Sequence, residues 1–181
     1  MSFVHLHTHT PFSFLDGASD IEVLVKRAAQ LQMPAMAITD HNNVCAAVKF
    51  SQAAAKAGIK AIQGTEITLD NGSHLTLLAR SARGYASICS LLTRAHLNNP
   101  RLQPQTSRED LRELSDVIVL SGCRHGELAQ LVLQGKYREC YKRAQEYLNL
   151  VGDSNFYIEL QNSDRKSTRL NSSHEVPSRM P

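Results

Sequence analysis

Apolar residues recur along this chain with two periods, and the places where each holds predict its elements. Phe3-Val-His-Leu-His-Thr-His9 alternates apolar and polar residues, which predicts a strand with His5, His7 and His9 on one face. Ile21, Leu24, Val25, Ala28 and Leu31 fall at helical spacing and predict a helix over 21–32, capped by Ser19 or Asp20 and ended by Pro34. The short apolar run Ala35-Met-Ala-Ile-Thr39 reads as a buried strand that delivers Asp40 and His41 at its C-terminal end. Asn43 is placed to cap a helix over 44–57, stopped by Gly58. Strands follow over 59–63 and 67–69, then a turn at Asp70-Asn-Gly72 and a return strand over 74–79.

Further on, the pattern predicts a helix over 84–97, a loop over 98–105 and a short helix over 107–114. A strongly apolar strand over 116–122 leads to Cys123, and helices over 126–133 and 136–150 precede a strand beginning at Phe156. Strands alternating with helices argue for an α/β fold of parallel βαβ units, as a barrel or an open sheet. The polar residues His7, His9, Asp40, His41, Glu66 and Cys123 all sit on or just after strands, where barrel enzymes place their chemistry, and this favours the barrel.

Composition changes the picture at the C-terminus. From Asp164 to Pro181 the chain has almost no apolar content and no periodicity, and the string DRKSTRLNSSH resembles a sequencing-library adapter translated in frame. We therefore read 1–163 as one domain, incomplete at its C-terminus, and 164–181 as a non-native, disordered tail; the codons of the source nucleotide sequence test this. The formal net charge of +3 includes four basic and two acidic residues of that tail, so the remainder has 16 basic and 15 acidic residues and a net charge of +1. No nucleic-acid surface follows from such a balance. The four cysteines show no CxxC pair, which fits reduced thiols and a cytoplasmic chain. No signal peptide or membrane span is expected.

The chemistry lies in the strand ends. His7 and His9, two apart on a strand, can bind one metal from the same face, and Asp16 lies a short loop away. Glu66 is suited to bridge two ions, while His41, His74 and Cys123 offer further donors. Divalent ions held together in this way suit phosphoester hydrolysis. Each residue also has a plainer reading. His96, His125 and His174 are taken as surface or hydrogen-bonded histidines, Cys123 alone would be a small buried hydrophobe, and His5, deeper in its strand, is given a supporting role.

His7-Thr-His9, Asp16-Gly, Ala37-Ile-Thr-Asp-His41-Asn, Gly64-Thr-Glu66, His74-Leu-Thr-Leu-Leu-Ala and Leu120-Ser-Gly-Cys123 resemble, in order and spacing, the polymerase and histidinol phosphatase (PHP) domain. They are most similar to its version at the N-terminus of bacterial DNA polymerase III alpha subunits. The resemblance implies a distorted (β/α)7 barrel, TIM-like and here truncated before its last strand. It also implies up to three divalent ions (zinc, manganese or iron) on nine ligand positions, seven of them matched by His7, His9, Asp16, His41, Glu66, His74 and Cys123. A late Asp-x-His pair has no counterpart, because the chain leaves the pattern near Ser163, so the natural protein is expected to continue.

For the parent, the resemblance implies a DNA-directed DNA polymerase (a nucleotidyltransferase using magnesium) in DNA replication, with DNA and other replicase subunits as partners and no membrane. It implies for this domain a 3′–5′ proofreading exonuclease, with the polymerase centre outside it. The alternatives are a stand-alone phosphatase of the histidinol-phosphatase type and an inactive structural or docking domain. Main replicase and error-prone paralogue are not separated by these residues.

Overall fold

A computed structural model describes residues 3–161; the tail reading of 164–181, the late end of the family pattern and His174 lie outside the described residues. Five strands form one sheet in chain order: β1 (Ala35–Ile38), β2 (Lys60–Thr68), β3 (His74–Ala79), β4 (Val117–Leu120) and β5 (Phe156–Tyr157). Five helices accompany them: α1 (Ile21–Gln30), α2 (Ala47–Ala57), α3 (Ala82–Leu97), α4 (Glu127–Leu133) and α5 (Tyr137–Val151), with a 3-10 turn at Glu109–Glu113.

The sheet is mixed: the return strand expected after the Asp70-Asn-Gly72 turn is present, and the parallel-unit reading fails only between β3 and β4. β1 with β2 and β4 with β5 are parallel, but β2–β3 and β3–β4 are antiparallel. The cause is local. Asn71 accepts from the Ser73 backbone N–H (2.9 Å) and from its hydroxyl (2.6 Å), closing the Asp70-Asn-Gly72 turn so tightly that β3 must return beside β2. Strand β2 also runs unbroken through Gly64, where two shorter pieces were expected.

Two caps differ from expectation as well. Asn43 closes an Asx turn on the Cys45 N–H (3.0 Å), and α2 starts only at Ala47. Asp20 precedes α1 without capping it, its carboxylate lying 3.8 Å from Lys49 Nζ.

Residues 3–9 are extended beside β1 without forming a regular strand. Ala37 N–H donates to His5 O and Thr39 N–H to Thr8 O, both at 2.8 Å, so three steps of this segment oppose two of β1. One extra residue is accommodated, as in a bulge, and the simple alternation of the three imidazoles is broken. His5 pairs with Met36 and is exposed with its ring against Phe3, whereas His7 and His9 turn inward.

Apolar residues divide between the two faces of the sheet. Met36 and Ile38 pack with Ile21, Val25, Phe50 and Ala54 under α1 and α2. Ile67, Leu75, Leu77 and Val119 pack with Ile88, Leu91, Tyr147 and Phe156 under α3 and α5. On the inner face Ala37, Leu78 and Leu120 meet. The segment 3–9 and β5 occupy opposite edges, which in a flat sheet would stand roughly 24 Å apart at the usual strand spacing. His7 Nδ1 nevertheless lies 2.8 Å from Glu159 Oε1, so the sheet is rolled around its inner face in the manner of a barrel wall.

A candidate metal centre on the inner face

The inner face lines a cavity of about 1890 Å³ that runs from the start of β2 to the strand ends bearing all seven candidate residues. Glu66 is at its centre. β2 carries Glu66 inward, 1% exposed, and a parallel bridge with His41 joins it to the end of β1. Its Oε2 is 2.9 Å from His7 Nε2, and its Oε1 is 2.8 Å from His41 Nδ1 and 2.7 Å from His74 Nδ1. His41 Nε2 is in turn 3.0 Å from Asp16 Oδ2, with His9 Nε2 3.7 Å from the same oxygen. Three sets of donor atoms thus converge: His7–His9–Glu66, His9–Asp16–His41 and His41–Glu66–His74.

Cys123 stands at the margin, its Sγ 3.9 Å from His74 Nδ1. It reaches that place because Gly122 turns with φ +81 against the His74 carbonyl, where a side chain would collide.

The loop bearing Asp16 is held by a residue noted in the sequence but given no role. Asp40 is 2% exposed; it accepts from the Thr10 N–H (2.7 Å), the Thr10 hydroxyl (2.7 Å) and the Ser13 hydroxyl (2.6 Å). Ser13 Oγ also lies 3.1 Å from His9 Nδ1 and accepts from the His41 N–H at 3.2 Å. Gly17 closes the loop directly against Thr10 O, with no space for a Cβ. Glu159, which the sequence did not single out, reaches His7 from beyond β5. The signal was present: alternation from Phe156, which faces α5, puts Glu159 on the inner face, where a carboxylate needs a partner.

Among the described residues the remaining histidines stay outside the three sets. The His125 ring is 5.7 Å from His74 and the His125 backbone N–H donates to Cys123 Sγ, while His96 Nε2 is 2.7 Å from Asn42 O.

Crowding shifts the charges. Burial works against a charged His7, but Glu159 and Glu66 outweigh it and hold its pKa up at about 9. Cys123 and then Glu66 raise His74 to about 10 against the cost of burial. Glu66 raises His41 as well, while burial and the neighbouring His41 lower His9. Burial opposes ionisation of Glu66, yet His41, His7 and His74 together keep its carboxyl well below the usual range.

Whether the donor set fits a metal is testable on its own geometry. His7 Nε2 and both Glu66 oxygens are buried and make no hydrogen bond, although each has an N···O neighbour at 2.7–2.9 Å. Buried polar atoms this close to one another and without a hydrogen-bond partner are groups that a bound cation would satisfy. Imidazole and carboxylate donors arranged in this way suit a divalent ion.

Comparison with known proteins agrees in kind. The PHP domain model matches residues 5–163. An error-prone DNA polymerase of Symbiobacterium thermophilum is 46% identical over 177 residues, covering 88% of this chain and 16% of the relative. DNA polymerase III subunit alpha of Treponema pallidum is 37% identical over 176 residues (89% of this chain, 15% of the relative), and that of Thermus aquaticus 39% over 180 (90% and 15%). The chain therefore spans only 15–16% of the length of these relatives, in their N-terminal regions. Among solved structures, a lesion-specific endonuclease of Pyrococcus furiosus matches with TM-score 0.53 at 12% identity, covering 96% of this chain and 46% of that one, a likeness of fold. Among the described residues no helix is long and apolar enough to cross a membrane.

Proposed function

Since this chain belongs to the PHP domain family, we propose that it is the metal-binding phosphoesterase domain of a bacterial DNA polymerase III alpha subunit, hydrolysing the 3′ end of DNA as a 3′–5′ proofreading exonuclease. His7, His9, Asp16, His41, Glu66, His74 and Cys123 would hold up to three divalent ions, zinc, manganese or iron. The observation that carries this reading is the unsatisfied set of buried donors around Glu66. When bound, divalent ions in such a site supply Lewis acidity toward a phosphoryl oxygen and charge neutralisation at the leaving oxygen.

The chain's own groups perform the rest. Glu66, with one oxygen toward His7 and the other toward His41 and His74, joins two of the donor sets. Asp40 and Ser13 fix the loop that brings Asp16 to His41. His7 and His74, charged at neutral pH in the metal-free chain, must give up protons before they can act as ligands. Catalysis of polymerisation with magnesium, the replicase partners and a cytoplasmic location belong to the parent in this proposal.

The test is metal analysis together with an exonuclease assay on 3′-labelled DNA, using the parent protein and its His7→Ala and His9→Ala variants. Bound metal and an activity lost in both variants is the expected result. Bound metal with hydrolysis of histidinol phosphate and none of DNA would favour a small-molecule phosphatase. Absence of both metal and activity would leave a structural or docking domain.

A further inference from the structure

His7 has two ring nitrogens and two carboxylates beside it, and the surroundings assign them different tasks. Nε2 faces Glu66 Oε2 at 2.9 Å without a hydrogen bond. Nδ1 has three polar neighbours: Glu159 Oε1 at 2.8 Å, Thr76 Oγ1 at 3.0 Å and Gln161 Nε2 at 3.2 Å. Gln161 is a donor there and cannot take a proton from Nδ1. Its amide instead donates to Glu159 Oε1 at 2.6 Å, and the Thr76 hydroxyl donates to Glu159 Oε2 at 3.3 Å. Glu159 is thus the charged acceptor and the shortest contact, and charged acceptors outcompete neutral hydroxyls.

Glu159 is itself fixed in place. The Val119 N–H donates to Asn155 O (2.7 Å) and the Ser121 N–H to Tyr157 O (2.9 Å); the Glu159 N–H then donates to Ser121 Oγ (2.9 Å), extending the line of β5 by two residues. The side chain is 9% exposed. None of the three convergent donor sets includes Glu159, which meets His7 on the nitrogen opposite the one that faces Glu66.

We propose that Glu159 is a positioning residue that holds the Nδ1–H of His7 and thereby directs the Nε2 lone pair toward Glu66 and the ion the two residues would share. This rests on the metal-binding reading of the site. Glu159 never touches the ion in this role; it fixes which His7 nitrogen is available and how the ring is turned, as carboxylates behind metal-bound histidines do. It also ties the two edges of the rolled sheet together through the site, residue 7 to residue 159.

The experiment is a calorimetric Zn²⁺ titration of the full 181-residue chain and its Glu159→Ala, Glu159→Gln and His7→Ala variants, with far-UV circular dichroism to check folding. The His7 ring nitrogens are followed by ¹⁵N NMR. The expected result is Zn²⁺ binding by the unaltered chain and an affinity lower by about 10–100-fold in Glu159→Ala. Glu159→Gln, whose amide oxygen still accepts from Nδ1–H, should recover much of the loss, and a protonated Nδ1 should persist in the Zn²⁺-loaded unaltered chain and in Glu159→Gln. A loss of folding would lower both variants alike, so recovery in Glu159→Gln separates positioning from general damage. Equal affinity in the unaltered chain and Glu159→Ala would overturn the role of Glu159 and leave the metal reading standing. No Zn²⁺ binding by the unaltered chain would overturn the metal reading and this inference with it.

Discussion

Glu66 and Asp16 are both carboxylates within 3.0 Å of the same His41 ring, yet the chain supports them in different ways. Glu66 is a ladder residue of β2, paired opposite Thr76, with its side chain 1% exposed and three imidazoles around it. Asp16 stands on a loop with its side chain 56% exposed, beside Leu15 in the left-handed region at φ 66. One half of the site is built by the sheet and exists as soon as the sheet forms. The other depends on a clamp, Asp40 on Thr10 and Ser13, that is independent of any ion. The first should therefore resist perturbation from outside, and the second should be separable from it.

The strongest way to break this comparison is at Glu66. Glu66→Gln removes the charge shared by two donor sets, and divalent-metal affinity should fall by more than about 100-fold, beyond what loss of an outer partner costs. Titration against a competing chelator measures it.

Asp40→Ala should come next. It strands three buried donors and is expected to lower stability by about 2–3 kcal/mol in urea unfolding. It should also reduce metal stoichiometry at the His9–Asp16–His41 set while leaving the Glu66 sets able to bind.

A pH series on the metal-free chain sharpens the contrast further. His7 and His74 have folded-state values of about 9 and about 10, above their ordinary 6.5, so the folded chain binds more protons than the unfolded one across that interval. Their contribution is complete below about 6.5 and is lost as pH rises through about 9–10, so the midpoint of thermal unfolding should fall over that window. A saturating divalent ion replaces these protons and should flatten the dependence.

The smallest effect is expected at Asp16. Asp16→Asn, on an exposed loop, should change stability by less than about 0.5 kcal/mol, and calorimetry should detect weakened binding only in its own set.

The same contrast explains what could be read from the sequence. His41, Glu66, His74 and Cys123 sit on or just after strands, where period-two alternation and a short apolar run such as Ala35-Met-Ala-Ile38 carry enough information to place them, while His7 and His9 lie on an extended segment beside β1. Asp16 came from its nearness in sequence to the His7–His9 pair. Its actual support, Asp40, is more than twenty residues away, and which donors its carboxylate collects depends on how the 10–17 loop folds back. Glu159 was missed for a similar reason, since its partner is 152 residues away across the rolled sheet. Alternation puts His5 on one face with His7 and His9 because it cannot register the extra residue that separates them. The antiparallel β2–β3 pair was legible in its Asp-Asn-Gly turn, but β3–β4 was not, because the long stretch through α3 disguises the direction of return.

The atoms around Glu66 are proposed to form a metal site. Anomalous diffraction at the zinc edge, from crystals of the chain grown with Zn²⁺, tests it most directly. The expected map has a peak at about 2.0–2.2 Å from Glu66 Oε2 and His7 Nε2, with a second beside Glu66 Oε1, His41 and His74. A map with no peak within bonding distance of Glu66, from crystals that carry zinc elsewhere, would contradict it.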